Sequence, residues 1–150
     1  NSLSDTDLLN KILFDAVKAG ARVLRESTKQ SFRSEMGSVA EHVSRWTNKP
    51  FSDGVIMSTD KAYNEAKVSI MGDHRMKWFE MGTQDRYTKG RKIVGYSGTK
   101  RNKLQRVGKG HWTGRIEGRN FFRKARSSSE TAIDDAIIQS INNALEKLNK

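Results

Sequence analysis

The chain has 150 residues, 35% of them apolar, with amphipathic segments at both ends, enough for one modest core and too little for two; this predicts a single domain over 1–150. Its 28 Lys and Arg against 17 Asp and Glu give a formal charge of +11, which draws polyanions, nucleic acid and acidic protein alike. The absence of cysteine excludes disulfides, thiolate catalysis and cysteine-based zinc sites, and leaves three scattered histidines as the only soft ligands.

No run of about 18 apolar residues exists to span a membrane, and Asn1 to Asp7 lacks the basic and apolar regions of a signal peptide. The expectation is a soluble protein made in the cytoplasm.

From Asp7 to Thr28, Leu8, Leu9, Ile12, Leu13, Ala16, Val17, Val23 and Leu24 recur at helical spacing behind Ser4, Asp5 and Thr6 as caps, which predicts an amphipathic helix. Gly20 inside it is either tolerated by a long helix or marks the close approach of another element. Phe32, Met36, Val39, Val43 and Trp46 follow a four-three-four-three spacing and predict a second helix, ended by the only proline, Pro50.

The period then changes. Val55 to Ser58 reads as a short strand, Asp60 to Asn64 as a loop, and Ala66, Val68 and Ile70 alternate with polar neighbours as a half-buried strand does. Met76 to Met81 is a third apolar segment, read as a strand or extended piece in preference to a short helix. The chain finishes with a helix from about Glu130, its inner face carrying Ile133, Ile137, Ile141, Ala144, Leu145 and Leu148, and Ser127 and Glu130 standing at capping-box spacing. Part of that face is available to a neighbouring subunit.

Between these parts lies an arm, residues 82–118. It holds ten basic residues (Arg86, Lys89, Arg91, Lys92, Lys100, Arg101, Lys103, Arg106, Lys109 and Arg115) against Asp85 and Glu117, and eight of the twelve glycines. Ten minus two places +8 of the +11 here. Such a segment buries too little apolar surface to order itself, so its order must come from hairpin pairing, a neighbouring subunit or an anionic partner. The pairing expected is Lys92 to Tyr96 against His111 to Ile116, with a tip near Gly98 to Gly110. Tyr87, Tyr96 and Trp112 are too few for a base-stacking platform and read as cross-strand contacts pinning the hairpin.

No catalytic constellation is visible. His42, His74 and His111 have no metal-ligand spacing, and Gly108, Lys109, Gly110 and Gly114 miss both phosphate-loop patterns. Asp53, Asp60, Glu65, Asp73 and Glu80 read as solvated loop carboxylates, since no spacing forces two together. The residues predict no enzyme, no cofactor and no metal.

Two motifs remain. Trp78, Phe79, Glu80, Met81, Gly82 and Thr83 spell WFEMGT, and Gly118 to Ala125 spell GRNFFRKA before the terminal helix. Gly82 permits a sharp exit into the arm, Glu80 can accept backbone or arginine hydrogen bonds, and Phe121 and Phe122 staple the returning chain to the core. With the N-terminal helix, this order resembles the head-tail connector or tail completion proteins of long-tailed bacteriophages. There an aromatic-x-E-x-G-T segment, a glycine-rich basic insert and a P-F-(L/M)-R-P-A-like segment precede the last helix. The specific likeness runs from about Ala66 to the end, and the first 65 residues share only the helix pattern. Asn120 and Lys124 stand where the family has prolines, so the turn into the last helix departs from its pattern.

The fold class expected is α+β: a small, mostly antiparallel sheet packed by N- and C-terminal amphipathic helices, with a long basic hairpin. The resemblance implies a virion subunit in a homo-oligomeric ring, sixfold before twelvefold, at the phage neck or tail top. Its partners would be the head connector or adaptor, the tail tube or terminator, and DNA in the channel. The competing class is a nucleic-acid-binding protein whose arm grips phosphates. A nuclease using Asp73, Glu80 and a divalent metal ranks third.

Overall fold

The computed structural model describes residues 5–88, 91–93, 105–107 and 110–148, the strands at 91–93 and 105–107 by their backbone pairing. The architecture is α+β, with long helices at both ends and small antiparallel strand pairs between them.

Helix α1 runs Asp5–Met36, and helix α3 runs Phe121–Leu148. At 1.5 Å per residue they are about 48 and 42 Å long. They pack antiparallel: Ser31 Oγ donates to the Phe121 carbonyl at 2.8 Å, and Ser27 Oγ to that of Ala125 at 3.5 Å. Further along, a β-carbon added to Gly20 would stand 2.9 Å from Ile137 and 3.2 Å from Ile133. Gly20 thus marks close approach, the second of its two readings.

The spacing that predicts a second helix instead extends the first. Phe32 and Met36 lie in α1, which stops where Gly37 takes a φ of 55°, a left-handed value that costs glycine little. A short 3-10 turn follows at Gly37–Glu41. Pro50 ends no helix; it forms a bridge with Val43 and opens a second 3-10 turn at Phe51–Gly54.

Strands β1 (Ile56–Asp60) and β2 (Glu65–Ser69) form an antiparallel hairpin with Met57 opposite Val68, turning at Asn64, whose φ is 49°. Ala66 and Val68 line a groove with Val17, Leu24 and Ile133, which seats the hairpin beside both long helices. Helix α2 occupies Met76–Met81, correcting the extended reading of that segment. Six apolar-rich residues fit either state locally, and burial of Met76 with the Gly82 carboxy-terminal cap selects the helix.

The last helix also starts earlier than its internal capping-box spacing predicts. Asn120 has a φ of 51°, a conformation closed to proline, and α3 begins at the next residue. Ser127 and Glu130 fall inside the helix. Leu145 and Leu148, expected on the inner face, are about half exposed.

The core gathers Phe32, Ala40, Phe51, Val55, Met76 and Phe121, with Phe79, Phe122 and Val68 packed against it. Phe32 is its centre. Its ring lies 4.7 Å from that of Phe121 and 5.9 Å from that of Phe79, so α1 supplies the surface on which both arm-flanking motifs meet. Phe51 closes the cluster edge-on to Phe79 at 5.4 Å.

Truncating Phe32 to Ala removes these contacts and opens a cavity that helix-bound neighbours cannot fill. Urea unfolding of Phe32→Ala is expected to report a loss of about 3–5 kcal/mol.

Candidate partner-binding arm and its anchor

The arm leaves the core at Gly82 and returns at Gly118, and the two backbones cross in contact. Gly82 has a φ of 79°, and a β-carbon there would stand 2.8 Å from the Gly118 nitrogen; one on Gly118 would stand 2.6 Å from the Met81 carbonyl carbon. Only paired glycines allow that crossing.

Hydrogen bonds then lock it. Arg119 N–H donates to the Phe79 carbonyl at 2.8 Å and Asn120 N–H to that of Glu80 at 3.1 Å. One step outward, Thr83 N–H donates to the Ile116 carbonyl and Ile116 N–H to the Thr83 hydroxyl, both at 2.9 Å.

Glu80 completes the joint. Its carboxylate accepts from the backbone N–H groups of Phe122 at 2.8 Å and Arg123 at 3.2 Å. These are orphan donors at the start of α3, so a side chain 42 positions before Phe122 does the work of a local cap and places negative charge at the helix dipole's positive end. Among the second-motif residues, Phe121 and Ala125 are buried against α1 and Phe122 packs at the core's edge. Phe79 joins the core beside them, whereas Trp78 is partly exposed.

Within the arm, β3 (Arg86–Tyr87) pairs with β6 (Trp112–Gly114), and β4 (Arg91–Ile93) pairs with β5 (Gln105–Val107), both antiparallel. The expected pairing of 92–96 with 111–116 is therefore shifted. His111 to Gly114 lies against the arm's root, Thr88 N–H bonding the His111 carbonyl at 2.8 Å, and a nearer strand takes the place opposite Arg91 to Ile93. Tyr87 stands opposite Trp112, whose indole N–H donates to Asp85 at 3.4 Å, and both rings are exposed.

Of the basic residues singled out, Arg86 is exposed on β3, while Arg91 and Lys92 lie on β4 directly across from Val107 and Arg106. Lys89, Lys100, Arg101, Lys103 and Lys109 lie outside the described residues, as do Tyr96 and most of the expected tip.

Asp73 is no solvated loop carboxylate. It is buried just before α2, accepting from the Ser44 hydroxyl at 2.5 Å, from Arg75 Nε at 3.1 Å and from the Arg75 backbone N–H at 3.0 Å. The Arg75 guanidinium holds its carboxyl well below the usual carboxylate range, with Ser44 adding to the effect against the cost of burial. Arg75 in turn lies over the Phe51 ring at 4.6 Å and donates to Ser44, tying the network to the core. The sequence offers no spacing that reveals it, since Ser44 and Asp73 lie 29 positions apart.

Asp53 likewise pairs with the buried Lys29 at 3.0 Å, and the ammonium depresses its carboxyl. Among the described residues no three His, Asp or Glu side chains gather as a metal site. Nor is any described helix long and apolar enough to cross a membrane. No protein-family model matches the chain, and neither a curated protein nor a solved structure does.

Replacing Glu80 with Ala strips α3 of its cap and is expected to cost about 1–2 kcal/mol in chemical denaturation. Asp73 gives a pH signature. Its native carboxyl titrates below the unfolded value of about 3.9, so its stabilisation is complete above that pH and drains away as acid approaches the native value. The stability gap between wild type and Asp73→Asn should hold steady from pH 7 to about 5 and shrink below pH 4, followed by urea midpoints.

Proposed function

We propose that this chain is a structural virion protein of a long-tailed bacteriophage, a neck or tail completion subunit that joins the head connector to the tail tube in a homo-oligomeric ring around the DNA channel. The observation that carries the reading is the joint at the arm's base. The two motifs that resemble the family, WFEMGT and GRNFFRKA, meet backbone to backbone at Gly82 and Gly118 and hold the ends of one basic excursion. A scaffold built to present a loop in this way suits assembly.

On this reading the arm docks onto acidic surface of a neighbouring subunit or adjacent ring, with Arg86, Arg91, Lys92, Lys100 and Arg101 among its contacts, and some cations face the channel. The ring is sixfold, matching a tail. The protein works in the virion, is assembled in the host cytoplasm and carries out no catalysis.

A second reading is supported by the +8 charge of residues 82–118 and by the exposed Tyr87 and Trp112: a free nucleic-acid-binding protein that grips phosphates through the arm. Titration on duplex and single-stranded DNA separates the two. Weak binding erased at physiological salt fits assembly, and submicromolar binding that persists there fits the second reading.

Reversing charge at Arg91, Lys92, Lys100 and Arg101 together is expected to leave circular dichroism and melting unchanged and to abolish head-to-tail joining in an assembly assay. Full joining by that variant overturns the arm's role.

A further inference from the structure

Tryptophan is highly buried on average, yet all three here are exposed: Trp46 by 76%, Trp78 by 39% and Trp112 by 61%. Two of them form a row. The His74 ring lies edge-on to Trp46 at 6.1 Å and to Trp78 at 5.6 Å, and the row sits directly over the buried Asp73, Ser44 and Arg75 network.

That foundation fixes the backbone turn that carries Trp46. The Ser44 hydroxyl accepts the Trp46 backbone N–H at 3.3 Å, and the turn carrying Trp46 is closed by Ser44 N–H to the Lys49 carbonyl and Asn48 N–H to the Ser44 carbonyl, both at 2.8 Å. A rigid exposed aromatic loses little entropy on binding and is the residue type that dominates interface energies. Arg45 and Lys77, the sequence neighbours of Trp46 and Trp78, are exposed and make no ion pair among the described residues, so the row has a basic rim.

A complementary surface exists on the same chain. The outer side of α3 leaves Ile138 56% and Leu145 47% exposed, and Asp134 and Asp135 beside them are exposed and make no ion pair among the described residues. It is apolar with an acidic rim. One molecule cannot close the two surfaces on each other: Glu80 pins α2 to the first turn of α3, and Ile138 lies 17 positions beyond Phe121, about 25 Å along the axis.

We propose that the Trp46, His74 and Trp78 row of one copy receives the outer face of α3 from a second copy around Ile138, with Arg45 and Lys77 meeting Asp134 and Asp135. The contact is heterologous, one patch against a different one, which is the kind that propagates into a ring. It rests on the ring reading above and names the surfaces that make it.

Sedimentation of the full-length protein across concentration tests it. Trp46→Ala, the pair Arg45→Glu with Lys77→Glu, and the pair Asp134→Lys with Asp135→Lys should each weaken self-association at least about tenfold, with melting temperature unchanged. Carrying both charge-reversed pairs in one chain should restore association. Mixing the two charge-reversed proteins in equal amounts should also restore association, with the two copies alternating, because every contact between unlike copies pairs opposite charges, reversed row with reversed face and native row with native face. A wild type that stays monomeric, charge variants that assemble normally, or a double-pair chain that stays apart overturns the proposal.

The same variants keep the two ideas distinct. Normal assembly by the face variants beside failed head-to-tail joining by the arm variant sinks this contact and leaves the phage reading standing. Assembly that depends on both faces, in a protein that joins no phage component, does the reverse.

Discussion

Everything in this molecule depends on the ring of Phe32, placed by α1 between Phe79 and Phe121. Those two aromatics belong to segments separated by the whole basic arm, and neither segment carries enough apolar surface to hold the other alone. With Phe32 present, α1 and α3 already bring the arm's ends together, so the entropy of closing that long excursion is offset by helix packing and is not asked of the arm. Closure cost grows only slowly with length, and the glycine-rich insert is tolerated for that reason.

Polar groups then convert proximity into one geometry. Apolar contacts alone would let Gly82 and Gly118 slide past each other. The bonds from Arg119 and Asn120 to the carbonyls of Phe79 and Glu80 fix the register, and the Glu80 carboxylate orients α3 by its first turn. On the other side of α2, Asp73 does the same for the turn at Ser44. In both cases a buried or half-buried carboxylate is worth its desolvation because several donors converge on it, and removing any one donor leaves the rest mispaired.

How much of this is legible in the sequence follows from the range of the interaction. Periodicity over Leu8 to Leu24 reveals α1, and the alternation at Ala66, Val68 and Ile70 reveals β2, because burial on one face repeats locally. The stop of α1 at Gly37 is hidden, since Val39 and Val43 continue the helical spacing after the backbone has left the helix. The start of α3 is hidden more deeply: its cap is Glu80, and the serine and glutamate that look like a cap are interior. The joint at Gly82 and Gly118 is half visible, as two glycines beside aromatic motifs, but their contact is tertiary. The Ser44, Asp73 and Arg75 network leaves no local signal at all.

Charge is distributed as unevenly as structure. With +8 in residues 82–118, the remainder of the chain carries only +3, close to neutral for its length. The rest of the chain therefore suffers little self-repulsion, and the positive charge is concentrated in the segment that leaves and rejoins the core at one glycine crossing. Copies gathered side by side would repel through their arms unless each arm is neutralised, by phosphates or by carboxylates from another protein. An anionic surface that received the arms would lower that repulsion and so tighten the association of such copies.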